Sequence, residues 1–161
     1  MRLLVGFAVA LALLPVAVQS VEVVNVQGIL LPPVCRVENV GGGDIHVDFG
    51  DDININRLNG SNYRKSVPYT VNCDKDGQQW PLRLRFEGST NIWDSQALAT
   101  SDPNLGIRLA LSGVGVEFGI DIPVADSNNL PVMTAVPVRN AAVEPAEGQF
   151  TATANLLAEY Y

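Results

Sequence analysis

The side chains that can do chemistry are few, and their spacing limits what they can do. His46 is the single histidine among 161 residues, so a Ser-His-Asp relay would have to be built on it. Ser66 and Ser112 are the nucleophiles one would try, and neither sits in a G-x-S-x-G elbow. An outward strand position is the simpler reading of His46. Asp48, Asp51 and Asp52 offer oxygens to a hard cation, but without the spacing of a helix–loop–helix calcium site. Asp48-Phe49-Gly50 matches the metal-binding tripeptide of protein kinases, yet the chain lacks the glycine loop and strand lysine of that fold. Asn59-Gly60-Ser61 is a glycosylation sequon. Trp80 and Trp93 could stack on a sugar, but no cluster of aromatics and amides joins them. Two cysteines and one histidine are too few for structural zinc. The residues therefore point to no catalysis and no cofactor.

Composition narrows the class further. A net charge of −7 repels phosphate backbones and argues against a nucleic-acid partner. Arg2 followed by the uncharged apolar run 3–18, with Val18 and Ser20 at the −3 and −1 positions of a cleavage site, reads as an export signal over residues 1–20. The run contains Pro15 and is shorter than a membrane span requires. An exported chain with an even number of cysteines reads as disulfide-bonded. A Cys35–Cys73 bridge would stabilise by roughly 4 kcal/mol in the chain-entropy model.

The remaining residues alternate with the period of strands. Residues 21–31 are apolar without interruption at Val24, Val26 and Leu30, with Gly28 between, before Pro32-Pro33 ends free pairing. Residues 34–40 resume as a strand carrying Cys35, and Gly41-Gly42-Gly43 turns the chain. Residues 44–49 alternate, an Asn-rich loop runs to Asn62, and residues 63–74 place Val67, Tyr69, Val71 and Cys73 on one face. Residues 82–87 (L-R-L-R-F-E) alternate cleanly with the arginines outward. Residues 89–104 read as loop. Further strands are expected at 106–111 and within 114–122, with a turn at Ser112-Gly113. Another is expected at 131–139, with Val132, Thr134, Val136 and Val138 in phase. No window of eleven or more residues beyond the signal has a helical repeat. Six or seven short strands with turn signals between them mean an all-β sandwich or barrel.

The last stretch, 148–161, is the most strongly patterned. Phe150, Ala152, Ala154, Leu156, Ala158 and Tyr160 line one face of a strand. A strand so patterned normally has neighbours on both sides, and no later segment exists to supply one. It is then either an exposed edge, which is an aggregation hazard, or half of an intermolecular site.

Taken together the two ends resemble those of chaperone–usher pilus subunits. Gly148 as the fourteenth residue from the end, the alternating apolar residues after it and the penultimate Tyr160 match that family's C-terminal motif. Gly28, seven residues ahead of Cys35, matches its N-terminal extension. Val47-Asp48-Phe49-Gly50 and the stretches 118–122 and 136–140 match in order and spacing. Pro32-Pro33 resembles the minor tip subunits of P-pilus-like and type 1-like fimbriae. The resemblance implies an incomplete immunoglobulin-like β-sandwich lacking its seventh strand, over residues 34–161. The groove left beside the last strand would be filled first by a periplasmic chaperone, and an outer-membrane usher is a further implied partner. The N-terminal extension of an adjacent subunit would then replace the chaperone strand. In this chain residues 21–33 are the implied donor, through Val24, Val26, Gly28 and Leu30. The implied acceptor strand carries Gly148, Phe150, Ala152, Ala154, Leu156, Ala158 and Tyr160. One departure is Glu22, which falls at the outermost donor position where relatives carry an apolar residue; a basic partner or Val23 through a bulge would accommodate it. The implied role is a structural link between a tip adhesin and the shaft, exported through the periplasm to the cell surface. The competing reading is a secreted glycan-binding β-sandwich. Two-domain adhesins of the class are much longer and have no free donor extension.

Overall fold

The computed structural model describes residues 25–29, 34–73 and 81–160. The export signal, Glu22, Val23, Val24, Leu30, Pro32-Pro33, Trp80 and Tyr161 lie outside those residues. The chain divides into two units, Met1–Leu30 and Leu31–Tyr161. Within the first, residues 25–29 carry no regular secondary structure, and Val26 and Ile29 are exposed.

The second unit is built on β4 (Leu82–Glu87). Its alternation separates a wholly buried row from an arginine row: Leu82, Leu84 and Phe86 are 0%, 0% and 2% exposed. β11 (Asn155–Tyr160) pairs antiparallel on one side of β4, with Tyr160 opposite Leu82 and Asn155 opposite Glu87. β9 (Asp121–Val124) pairs on the other side. The largest sheet runs in the order β2 (Lys65–Ser66), β10 (Met133–Arg139), β7 (Leu105–Leu111), β6 (Asp94–Ala99), β5 (Thr90–Asn91). Its inward residues Leu98, Ile107, Leu111, Met133 and Ala135 join the β4 row in one core cluster. β8 (Val114–Gly115) folds back on β7 through Ser112-Gly113. Both turn residues have positive φ (47° and 84°), the two-residue hairpin geometry that suits the twist of the strands.

β1 (Cys35–Glu38) and β3 (Thr70–Cys73) form a separate two-stranded sheet. Cys35 and Cys73 are register partners and are joined by the disulfide read from the sequence. The 63–74 stretch therefore serves two sheets. Lys65–Ser66 pair with β10, and the chain crosses over at Val67-Pro68 to pair with β1. Val67, Tyr69, Val71 and Cys73 nonetheless all pack on the core. Tyr69 donates its hydroxyl to the Pro131 carbonyl (2.8 Å), and burial pushes its pKa up to about 12.

Three expectations are corrected. Residues 89–104 are not a plain loop, since β5 and β6 lie there. β6 escapes a pattern search because Ala97 and Leu98 are adjacent and both buried, on opposite faces. The inward row of the 131–139 strand is Met133 and Ala135 rather than Val132 and its phase mates. Val136 and Val138 are buried on the other face, where Gly60 lies close to the Val138 side chain, and Val132 is exposed. A strand covered on both faces gives no alternation to read. Finally, residues 44–50 and 148–154 carry no strand pairing.

Replacing Cys35 and Cys73 together by serine should lower stability by about 2–5 kcal/mol, read as the shift in denaturant midpoint under non-reducing conditions. An unchanged midpoint would mean that the β1–β3 ladder holds without the bridge.

Candidate functional site

β11 ends its sheet, and the next element beyond it is β1. Cα atoms of the two strands come within 8 Å, yet no ladder joins them. Between them runs an unpaired seam, the β1–β11 slot. Phe150, Ala154, Leu156, Ala158 and Tyr160, from β11 and the segment before it, form one wall and Cys35 and Val37 of β1 the other, with Ile45, Val47 and Phe49 packed on the same core. Every one of these is packed on the core and only half-buried, whereas the β4 row beside them is wholly buried. The cause is geometric: the inward row of a sheet is covered when neighbours flank it, and this row has a neighbour on one side only. Phe49 and Phe150 span the walls, their ring centroids 6.1 Å apart and tilted by 39°. A strand entering between β1 and β11 would set them about 9.5 Å apart, two ladder spacings, so the walls must separate to admit it.

Gly148 opens the last segment at φ +136°, a backbone conformation that glycine adopts readily. His46 and Asp48 alternate outward while Ile45, Val47 and Phe49 turn in. Ala152, read as inward, is exposed. β4 stops at Glu87 opposite Asn155, so nothing in the ladder pins residue 152 against the core. The second wall, Val37 with Ile45 and Val47, was legible as alternation but was not assigned to the site. Its place follows only from seeing which edge β11 faces. Val26 and Gly28 belong to the 25–29 segment, and the other donor positions lie outside the described residues.

The back of the β11 wall is braced by charge. Arg83 on β4 reaches Asp121 on β9 (3.2 Å) and Glu159 on β11 (3.1 Å), and Arg85 bonds Asp121 at 2.6 Å. The Arg85 hydrogen bond, chiefly, holds the Asp121 carboxyl below the usual range; partial desolvation opposes this and the Arg85 and Arg83 charges add to it. Arg85 is pushed up in return by the same bond and by the Asp121 charge.

The other candidates do not converge. Ser66 lies on β2, Ser112 in the β7–β8 turn and His46 on the exposed side of the 44–50 segment, with no hydrogen bond among them. Asp48 accepts the Gly50 N–H (2.7 Å), and among the described residues no three His, Cys, Asp or Glu are grouped to hold a metal ion. Asn59 accepts the N–H groups of Ser61 and Asn62. The Trp93 indole donates to the Pro103 carbonyl (2.8 Å), so its polar edge is engaged within the domain.

A two-layer β-sandwich whose core row lies open along one edge strand is an immunoglobulin-like fold one strand short. The profile of the family described as fimbrial protein matches residues 24–161, and the chain belongs to that family. It is 33% identical over 146 residues to the fimbrial-like protein YfcQ of Escherichia coli (strain K12), covering 86% of this chain and 87% of the relative. It is 28% identical over 160 residues to the fimbrial adapter PapF of Escherichia coli, covering 92% and 93%. The solved P pilus adaptor subunit PapF superposes with a TM-score of 0.56 at 25% identity, covering 81% of this chain and 98% of that one. The P pilus rod subunit PapA gives 0.60 at 23% identity over 86% and 99%, a likeness of fold.

The charge brace has a pH signature. A carboxyl held below its unfolded value supports the fold above that value and loses the support as pH falls through the folded value. The thermal midpoint of the wild type should exceed that of Asp121→Asn near neutral pH, and the gap should close below about pH 4. A gap that persists in acid would show that charge at Asp121 is not its source.

Proposed function

We propose that this protein is a minor, adaptor-like subunit of an adhesive fimbria, structural rather than enzymatic. It accepts a strand from another chain into the β1–β11 slot and lends its own residues 21–33 to a neighbour. The observation that carries this reading is the inward row of β11, packed on the core yet half-buried, with β4 paired on one side and no strand paired on the other. Strand addition suits such an edge. Main-chain bonds would satisfy the open ladder, and alternate side chains would fill the space between the walls. The similarity to the fimbrial adapter PapF supports the place between a tip adhesin and the shaft.

On this reading residues 1–20 direct export, residues 21–33 are the donor and residues 34–161 form the pilin domain. A periplasmic chaperone holds the slot open first, and an adjacent subunit then replaces it, with the outer-membrane usher as a further partner. Val24, Val26 and Leu30 would each contribute roughly 1.5–3 kcal/mol if fully buried in a neighbour. Gly28, lacking a side chain, would permit close approach where the slot is shallow. Closure of β1 towards β11 gives the chaperone a physical task, since an empty slot narrows and a filled one cannot. The glycan-binding alternative has less support, because the Trp93 indole is already bonded to Pro103.

Expressed in the periplasm with a fimbrial chaperone, the protein should be recovered as a one-to-one complex, and without it should aggregate or be degraded. A stable monomer in the absence of chaperone would defeat the reading. Deleting residues 21–31 should leave chaperone binding intact and abolish insertion into a preceding subunit; retained insertion would remove the donor assignment.

A further inference from the structure

Beyond the end of β4 the acceptor wall has no strand neighbour, yet it is held in place. The Ser101 N–H donates to the Thr151 carbonyl (2.9 Å), and the Thr151 N–H donates to the Ser101 hydroxyl oxygen (3.1 Å). The turn that carries Ser101 is itself braced. The Thr100 hydroxyl oxygen accepts the Asp102 N–H (3.1 Å), and one Asp102 oxygen accepts the Asn104 N–H (2.7 Å). The same turn also steers the lead-in to the acceptor. The other Asp102 oxygen accepts the Ala146 N–H (2.7 Å), and the Asn104 carbonyl accepts the Asn140 N–H (2.8 Å).

In extended backbone the N–H and C=O of one residue point to the same side, and those of its two neighbours to the other. Both groups of Thr151 are taken by Ser101. The groups of Phe150 and Ala152 therefore face away from Ser101, towards the open edge, and among the described residues neither has a backbone partner. At the same point Phe150 is set against Phe49 on the opposite wall.

We propose that Ser101 stands in for a strand neighbour, and that the 100–104 turn presets residues 150–152 as the last rungs of the acceptor edge. This rests on the strand-acceptor reading above. Ser101 is a positioning residue: it does not touch the incoming strand, but it extends the usable ladder past Asn155, where β4 stops. Without it the edge offers an ordered ladder only along β11, and an arriving strand must order residues 150–154 as it pairs. That cost falls on the rate of strand exchange rather than on the core.

The test uses the full chain purified as its complex with a periplasmic chaperone, and a synthetic peptide of residues 21–33 as the entering strand. Chaperone release by the peptide should be about five- to tenfold slower in Ser101→Ala, the effect of one lost hydrogen bond. Amide exchange should accelerate at residues 150–152 and stay unchanged on β7 and β10. If the alanine variant loses protection throughout, Ser101→Thr and Ser101→Val decide, since they share a shape and differ in the hydroxyl. Threonine should then keep the wild-type rate and valine should slow it. Equal release rates across hydroxyl and non-hydroxyl variants would overturn the assignment of Ser101 alone. A wild-type chain that forms no chaperone complex would overturn the strand-acceptor reading beneath it.

Discussion

Closure of the hydrophobic core is the constraint on which the rest of this molecule turns. A sheet row is sealed when both flanking strands cover it, and the β4 row, flanked by β11 and β9, is sealed completely. The β11 row is flanked on one side alone, and its residues stay half-exposed although they touch the same core. The slot is not a defect added to a finished sandwich. Along the β11 edge the row stays open, and the local chemistry there agrees with incompleteness. Small residues alternate with large ones, two opposed walls are apolar, and the main-chain groups of Phe150 and Ala152 face outward.

Charge and turn chemistry divide the task of keeping that edge extended while it is empty. Along β11 the ladder to β4 is reinforced from behind by Arg83, which spans Asp121 and Glu159. Past Asn155 the ladder runs out and Ser101 takes over. Specificity in such a site is a property of the scaffold behind it as much as of the side chains that line it.

How much of this was legible in the residues depended on how many faces each strand exposes. β4 and β11 each keep one polar face, so alternation marked them and fixed which residues turn in. β10 is covered on both faces, with Met133 and Ala135 buried on one and Val136 and Val138 on the other, so its alternation did not say which row joins the core cluster. β6 hides behind a polar start and two adjacent buried residues. The cysteines gave their pairing by arithmetic, and their register supplied the rest. What alternation could not convey was the end of pairing: the 148–154 segment keeps much of the strand pattern but has no ladder, because β4 ends before it. Nor can a period of two reveal that a serine fifty residues away completes a wall.

The disulfide has a mechanical consequence. Cys35 lies two residues after the 21–33 segment, and its bridge leads directly to Cys73 at the end of β3. In a fibre under load, tension arriving through that segment would pass by a covalent link into the body of the domain. The β1 ladder would be spared, instead of being peeled open one rung at a time. The resistance of each link to pulling would then be set by the shear strength of the intermolecular strand, not by the fold of the subunit that carries it.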